Sequence, residues 1–273
     1  MDDFRSSVTS AAKTKLGTLA HAGAQLIYDA RDVAKGENVG NVNTLEDVMS
    51  LLDFTEGDIH EKISSLIDTY EGVRTNYTNW AKATGYDQQP GYNEGLQWAE
   101  AVSEGSVKAI DTYLEGHYKN PVHLGSEVFT GGTVTDPNTG KSVSIGGAMD
   151  QVFQVENGEG QTGIFFGDIK TGMGITPQNI FQQWVYDFLT RGNQAEFKSW
   201  FGENATDKEI STALEEHGYF NVEGATDEDI AKMRTSAPTL ARAFRNAAFI
   251  DMGLVHADEK GNVSVGQIVG RYN

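Results

Sequence analysis

The chain lacks cysteine and long apolar runs, and both absences exclude whole classes of protein. Without cysteine there is no disulfide framework, no thiolate zinc site and no cysteine-ligated iron–sulfur cluster. No apolar stretch approaches the roughly 20 residues that span a bilayer, and the first residues lack the basic and apolar segments of a signal peptide. We therefore expect a soluble, intracellular protein of the cytoplasm with no membrane partner.

Basic residues are also scarce, since 21 Lys and Arg face 39 Asp and Glu and the formal net charge is -18. Such a surface favours solubility but repels phosphate polymers. A nucleic-acid partner would need bound cations or a local basic patch to overcome this repulsion. The best patch is the tail segment with Arg234, Arg242 and Arg245, for which a DNA-facing role and a structural role both stay open.

The order of patterns predicts a single α/β domain over residues 1–273, with helical elaborations at both ends. Residues 1–120 are predicted to be mainly helical, with Thr44 as a helix cap. Residues 121–192 contain three or four short β-rich runs, then a helix that starts at Pro177 and ends before Gly192. Residues 193–273 return to helices, capped at Thr206 and Thr226, and a small hairpin closes the chain.

The segment "GIFFGDIKTG", residues 163–172, ends an apolar run with an aspartate and a lysine two positions apart. Alternation along a strand places Asp168 and Lys170 on one face. Two other acid-x-Lys tripeptides, at 196–198 and 258–260, lie in a predicted helix and a polar turn, where this spacing has no such effect. A charged pair at the end of a buried strand needs partners, because unpaired buried charge is costly.

Asp150 lies near the start of the preceding predicted strand, beside Gly146 and Gly147, which permit close approach of backbone or substrate. Antiparallel pairing would bring Asp150 near Asp168. Two partly buried carboxylates repel each other, and a divalent cation relieves that repulsion. Two acids on a metal ion beside a lysine favour phosphate-ester hydrolysis. A core salt bridge plus a surface aspartate is the structural alternative, and it is the commoner outcome for this pattern alone.

Separated segments of the chain resemble, in the right order, the RecB-like branch of the PD-(D/E)XK nucleases. This branch includes AddB-type and CRISPR-associated exonucleases and many phage recombination nucleases. The matching segments are "GTLAH" with Gly17 and His21, "SEVF" with Glu127, "GAMD" with Gly147 and Asp150, "DIKTG" from Asp168 to Gly172, and "QQWVY" with Gln182 and Tyr186. The combination of D-x-K-T-G with Q-x-x-x-Y is fairly specific, whereas G-x-x-x-H alone is weak.

The resemblance implies a restriction-endonuclease-like core, which is a central mixed sheet flanked by helices. The implied ligands of Mg²⁺ or Mn²⁺ are His21, Asp150, Asp168 and the backbone carbonyl of Ile169. Lys170 would be the catalytic lysine. The implied contacts to the nucleic-acid backbone, which would also brace the site, are Thr171, Gln182 and Tyr186. Core packing is the alternative for His21 and Tyr186, and a structural role is the commoner one for a residue such as Glu127.

The leading hypothesis is a metal-dependent deoxyribonuclease, and the exonuclease preference comes from the resemblance alone. It would act in phage-type recombination, repair or DNA processing, alone, as a homo-oligomer or with a separate recombination protein. Several relatives carry an iron–sulfur cluster, which a chain without cysteine cannot hold. The acidic surface favours a different class, a catalytically idle nuclease-fold protein with a structural or adaptor role. An enzyme acting on a small phosphorylated substrate is the third hypothesis.

Overall fold

The computed structural model describes residues 10–37, 40–135, 139–171, 177–221, 226–258 and 260–267. Its helices are α1 (Ser10–Val33), α2 (Leu45–Ser50), α3 (Gly57–Thr84), α4 (Gly91–His117), α5 (Pro177–Trp200), α6 (Asp207–Glu216) and α7 (Asp227–Asn246). Its strands are β1 (Lys119–Thr135), β2 (Ser142–Glu156), β3 (Thr162–Lys170), β4 (Ile250–Ala257) and β5 (Val263–Gln267). Short 3-10 turns lie at Leu51–Asp53 and Tyr86–Gln88.

The five strands form one mixed sheet in the order β1-β2-β3-β4-β5, with helices around it. Strands β1, β2 and β3 are an antiparallel meander, and Ile164 of β3 donates its N–H to the Phe249 carbonyl at 3.0 Å, next to β4. The α/β class, the meander and the C-terminal hairpin predicted from the sequence are therefore confirmed. None of the helices in the described part of the chain is both long and apolar enough to cross a membrane.

Contacts divide the chain into two compact units, and the first comprises the described residues of 1–113, 169–175 and 254–266. In this unit α1 packs on α3, and small residues allow α1 to approach α4 closely. The Ser103 hydroxyl of α4 donates to the Ala20 carbonyl of α1 at 2.9 Å. Arg31 near the end of α1 forms an ion pair of 2.9 Å with Asp111. These contacts fix α1 against α3 and α4 at several points along its length.

The second unit comprises the described residues of 114–168, 176–253 and 267. Its core lies between the sheet and helices α5, α6 and α7, and the large side chains in it include Val152, Ile164, Phe166, Phe197 and Phe244. Ile164 and Phe165 are both fully buried, although alternation sends them to opposite faces. Strand β3 is therefore covered on both faces, as its uninterrupted apolar sequence predicts.

Helix α5 continues through Gly192 to Trp200, so the prediction that it ends before Gly192 is wrong. A glycine in a helix interior costs about 1 kcal/mol relative to alanine. Here Leu189, Thr190, Asn193 and Phe197 are buried on both sides of Gly192. The stability gained by burying one face of α5 outweighs the tendency of Gly192 to end the helix.

Helix α2 begins with the predicted cap at Thr44, which forms a reciprocal capping box with Asp47. Hydrogen bonds from the N–H groups of Asn43 and Thr44 hold the pKa of Asp47 below its usual range. A lowered pKa stabilises the fold above the ordinary carboxyl pKa, and this contribution is lost as the pH falls through the lowered value.

Asp47→Asn is therefore expected to lower the free energy of unfolding by about 1 kcal/mol at pH 7, because it weakens two charge-assisted hydrogen bonds. The difference from the parent chain should shrink below about pH 4, where Asp47 of the unfolded chain takes up a proton, and it is lost as the pH falls through the lowered pKa of the native state. Urea unfolding of both chains between pH 7 and pH 3 measures this difference. A difference in the free energy of unfolding that stays constant from pH 7 to pH 3 would contradict a capping role for the Asp47 carboxylate.

Candidate metal centre

Three acidic residues lie in one row across strands β1, β2 and β3. The β1–β2 register pairs the residues on either side of Glu127 with those on either side of Asp150. The β2–β3 register pairs Gln151 with Gly167, so one step further along Asp150 faces Asp168. Side chains of directly opposed residues share a face, with Cβ atoms about 5 Å apart. We call Glu127, Asp150 and Asp168 the acidic row.

Two members of the acidic row are buried. Asp150 is 7% exposed and Asp168 is 1% exposed, whereas Glu127 is exposed. An ionised carboxylate inside a protein is costly unless it is hydrogen-bonded, paired or coordinated, and two neighbouring carboxylates also repel each other. A cation bound at the row would offset both costs.

Glu127 has an unusual backbone conformation, with φ at +49° in the left-handed region. Non-glycine residues in this region cost on the order of 1 kcal/mol and cluster at functional sites. The β1–β2 register shifts between His123 and Gly125, just before Glu127, and such irregularities redirect side chains. The sequence offers only Gly125 as a hint of this irregularity, and the sequence analysis kept Glu127 as a site candidate for which a structural role is the commoner one.

His21, Glu127 and Asp150 each offer one ligand atom, and these atoms all lie within 4.8 Å of one another. An imidazole nitrogen with carboxylate oxygens is a donor set for hard or borderline divalent ions, and the imidazole favours Mn²⁺ over Mg²⁺. The group can therefore bind a metal ion. It contains His21 and Asp150, both predicted ligands, together with Glu127. Asp168 and Ile169, which were also predicted as ligands, are not in this group.

The position of His21 along α1 follows from a close approach at Gly17. A Cβ atom at Gly17 would lie 2.5 Å from the Thr171 hydroxyl oxygen, so a larger residue would force a shift there. Residues four apart lie on one face of a helix. The G-x-x-x-H spacing thus has a physical meaning: glycine lets the helix lie against the residue that follows Lys170, and His21 comes one turn later on the same side.

Tyr186 of α5 holds strand β2 next to the acidic row. Its buried hydroxyl donates to the Ala148 carbonyl at 2.7 Å and accepts a hydrogen bond of 2.7 Å from the Gln182 amide. A Cβ atom at Gly147 would lie 2.8 Å from the Tyr186 ring, so only glycine leaves room for this contact. The Q-x-x-x-Y spacing therefore places both side chains of the motif in one hydrogen-bond chain that ends on the backbone of β2.

Burial, opposed by the hydrogen bond from Gln182 and assisted by the negative charges of Asp168, Asp150 and Glu127, raises the pKa of Tyr186 to about 12. All three acids of the row are thus close enough to act on this phenol. Tyr186 stays neutral, and its hydroxyl already has two protein partners. The geometry supports the bracing role predicted for Gln182 and Tyr186, while their contact with a nucleic-acid backbone stays a prediction.

The remaining predicted residues of the D-x-K-T-G segment lie at the end of β3. Ile169 is buried, and Lys170 and Thr171 are partly exposed. Lys170 is two positions from Asp168 in the strand and so shares its face. Gly172, the last residue of the motif, lies outside the described residues.

The arginines of the tail are engaged with protein groups. Arg242 binds Asp207 at 2.6 Å and the Ala205 carbonyl at 3.0 Å. Arg245 donates to the Phe201 carbonyl at 2.9 Å, and Arg234 pairs with Glu215 at 3.0 Å. These contacts give Arg242 and Arg245 a structural role, in which α7 is tied to the start of α6 and the end of α5. A DNA-facing role for them stays a prediction.

No family model, curated protein or solved structure matches this chain.

Proposed function

We propose that the chain is a divalent-metal-dependent deoxyribonuclease with a restriction-endonuclease-like core, acting as an exonuclease. The observation that carries the proposal is the acidic row, with two buried carboxylates on adjacent strands and His21 among the ligand atoms. The desolvation and mutual repulsion of neighbouring buried acids are unfavourable for a protein with a purely structural role. Their cost is explained if they bind a cation that acts in a reaction.

The residues present fit a metal ion of the Mg²⁺ or Mn²⁺ type. Carboxylate oxygens are the ligands that these ions prefer, and one imidazole is compatible with manganese. His21, Glu127 and Asp150 would hold the ion, and Asp168 lies opposite Asp150 on the next strand. When bound, such an ion lowers the pKa of water and stabilises negative charge on phosphate oxygens.

The chain's own groups would then position the substrate and stabilise charge. Lys170 lies on the same strand face as Asp168, and its ammonium group would stabilise the charge that develops on the phosphate in the transition state. Tyr186 and Gln182 would keep β2, and with it Asp150, at a constant position through the bond to Ala148. The ammonium group of Lys170 and the bound metal ion would also offset part of the electrostatic repulsion between the acidic chain and DNA.

The proposal is tested by incubating the full chain with linear and circular DNA, each single- and double-stranded, with Mg²⁺, with Mn²⁺ or with EDTA. We expect metal-dependent loss of ends from linear DNA only. Lys170→Ala should reduce the rate at least about 100-fold, the usual effect of removing one group that stabilises the transition state. The matched control is Lys198→Ala. Lys198 belongs to another acid-x-Lys tripeptide, and its side chain is exposed on helix α5.

Each alternative gives a different result in this assay. Equal background cleavage by the parent and Lys170→Ala chains would overturn the nuclease proposal and favour the structural or adaptor protein that the net charge of -18 suggests. Cleavage of circular DNA would overturn the exonuclease assignment, and activity on RNA alone would overturn the deoxyribonuclease assignment.

A further inference from the structure

Strand β1 contains one extra residue ahead of Glu127. His123 pairs with Phe153 of β2 and Gly125 pairs with Val152, so two steps along β1 match one step along β2. An extra residue in one strand of a pair is a β-bulge, and bulges near functional sites redirect side chains. Beyond the bulge the pairing of the two strands continues without a further shift.

The bulge decides which face of the sheet Glu127 occupies. Successive side chains of a strand alternate between faces, so a shift of one residue moves every later side chain to the other face. With the extra residue, Glu127 shares a face with Asp150, and their ligand atoms lie within 4.8 Å of each other. Without it, Ser126 would stand opposite Asp150, and Glu127 would turn to the other face, opposite buried Met149.

Gln151 binds β1 on both sides of this bulge. The Gln151 residue is 1% exposed, and its carboxamide oxygen accepts hydrogen bonds from Nε2 of His123 at 2.9 Å and from the Ser126 hydroxyl at 3.0 Å. In a regular strand, residues three positions apart point to opposite faces, so one side chain would not reach both. The two hydrogen bonds therefore belong to the bulged register. We call Gln151, His123 and Ser126 the β1 clamp.

The β1 clamp offsets the unfavourable backbone conformation of Glu127. A residue with φ at +49° persists only where its surroundings fix it. The hydrogen bonds to Gln151 supply such contacts, and the His123 ring also packs on Phe153 with centroids 5.1 Å apart. Burial requires that Gln151 has hydrogen-bond partners. It does not require that both partners come from the segment that carries Glu127.

We propose that Gln151 is a positioning residue of the metal centre, which selects the bulged register of β1 and thereby turns Glu127 toward Asp150. Gln151 and Asp150 are neighbours in β2 and so lie on opposite faces. Gln151 therefore acts through the backbone of β1 and not by contact with the ion. The inference rests on the proposed function, because the position of Glu127 matters to a reaction only when the ligand group holds a metal ion.

The test is a calorimetric titration of the full chain with Mn²⁺ alone. The double variant His123→Phe/Ser126→Ala removes both hydrogen bonds of the clamp, while an aromatic ring still packs against Phe153. We expect the dissociation constant for Mn²⁺ to rise at least about tenfold, as is usual when a group that orients a metal ligand is lost. Ser126→Ala alone should raise it about threefold, which is half of that effect on a logarithmic scale.

The control His217→Phe/Ser199→Ala makes the same chemical changes in the same unit of the chain. His217 stacks on Trp200 with centroids 4.4 Å apart, and the exposed Ser199 hydroxyl donates to the Glu196 carbonyl at 2.7 Å. Neither substituted residue belongs to β1 or β2, so the affinity for Mn²⁺ should change by less than about twofold. Circular dichroism in EDTA shows whether each variant is folded, and Ser126→Ala provides the test if the double variant is not.

A thermodynamic cycle with Glu127→Ala separates positioning from a general effect on the fold. Glu127→Ala removes a ligand and should itself weaken Mn²⁺ binding. In this background the clamp substitutions should change the dissociation constant by less than about twofold, because they act through the missing carboxylate. Equal weakening with and without Glu127, or no weakening in the chain that keeps Glu127, would overturn the inference.

This titration and the nuclease assay fail in distinguishable ways. A parent chain that cleaves DNA with Mn²⁺, while its clamp variants bind Mn²⁺ as tightly, would keep the proposed function and lose the inference. A parent chain that shows the clamp effect on Mn²⁺ binding but cleaves no DNA would do the reverse. A parent chain that binds no Mn²⁺ would lose both.

Discussion

Asp150→Asn is expected to abolish metal-dependent cleavage and, at the same time, to make the metal-free chain more stable than its parent. In the parent, buried Asp150 faces buried Asp168 across the β2–β3 pairing. The amide has nearly the same shape as the carboxylate but no charge, so the substitution removes the repulsion and part of the desolvation cost. A gain of about 1 kcal/mol corresponds to a rise in melting temperature of roughly 2–4 °C for a chain of this size.

Metal ions should reverse this order of stability. At a concentration 100 times its dissociation constant, a ligand stabilises the native state by about 2.7 kcal/mol. The parent should gain this stabilisation from Mn²⁺, whereas the variant, which lacks a ligand, should gain little. We therefore expect the order of melting temperatures to reverse between the two conditions. The variant should melt at a higher temperature than the parent in EDTA, and the parent should melt at a higher temperature than the variant in Mn²⁺.

Asp68→Asn is the matched control, because Asp68 is exposed on α3 and should respond to Mn²⁺ as the parent does. If Asp150→Asn keeps the Mn²⁺-induced rise in melting temperature, the metal centre is elsewhere. If the variant is less stable than the parent in EDTA, the carboxylate stabilises the fold by itself and the argument from unfavourable buried charge is lost.

Gly147→Ala is expected to destabilise the chain by about 2 kcal/mol, although it adds only one methyl group. The new Cβ atom would lie 2.8 Å from Cε1 of Tyr186 and 3.0 Å from its hydroxyl oxygen. The ring cannot easily move away, because its hydroxyl is held by Ala148 and Gln182. Overpacking of this kind typically costs about 1–3 kcal/mol. Because Gly147 and Ala148 precede Asp150, a shift of β2 should also weaken metal binding.

Gly192→Ala is the control on the helix that carries Tyr186. Beyond the adjoining backbone of α5, no atom of the described residues lies within 4 Å of a Cβ at Gly192, so alanine should stabilise α5 by about 0.5–1 kcal/mol through helix propensity alone. Urea unfolding measures the change in the free energy of unfolding of each variant, and the two changes should have opposite signs. The double variant Gly147→Ala/Tyr186→Phe should cost less than the sum of the single substitutions, since a ring without hydrogen bonds can tilt. If the destabilisation of the double variant equals the sum of the two single substitutions, the proposed clash between the new Cβ atom and the Tyr186 ring is contradicted.

Much of the architecture was predictable because it rests on local patterns. Thr44 and Thr206 cap helices through reciprocal boxes with Asp47 and Glu209, as their sequence spacing predicts. In the polar turn at Asp258, the carboxylate of Asp258 accepts hydrogen bonds from the backbone N–H groups of Lys260 and Asn262, and these follow from turn chemistry alone. The end of α5 was not predictable, since it depends on which side chains around Gly192 become buried in the core.

The sequence by itself determined the α/β class, the antiparallel meander and the position of Asp168 and Lys170 on one strand face, because these follow from alternation, caps and turns between near neighbours. Only the tertiary structure decided that Glu127 joins the ligand group, that Tyr186 fits against Gly147, and that Lys15 lies over Trp80. Each of these depends on a backbone irregularity or on a close approach between residues far apart in the chain. Such contacts result from packing of whole elements, and that packing is not specified by any local pattern of residues.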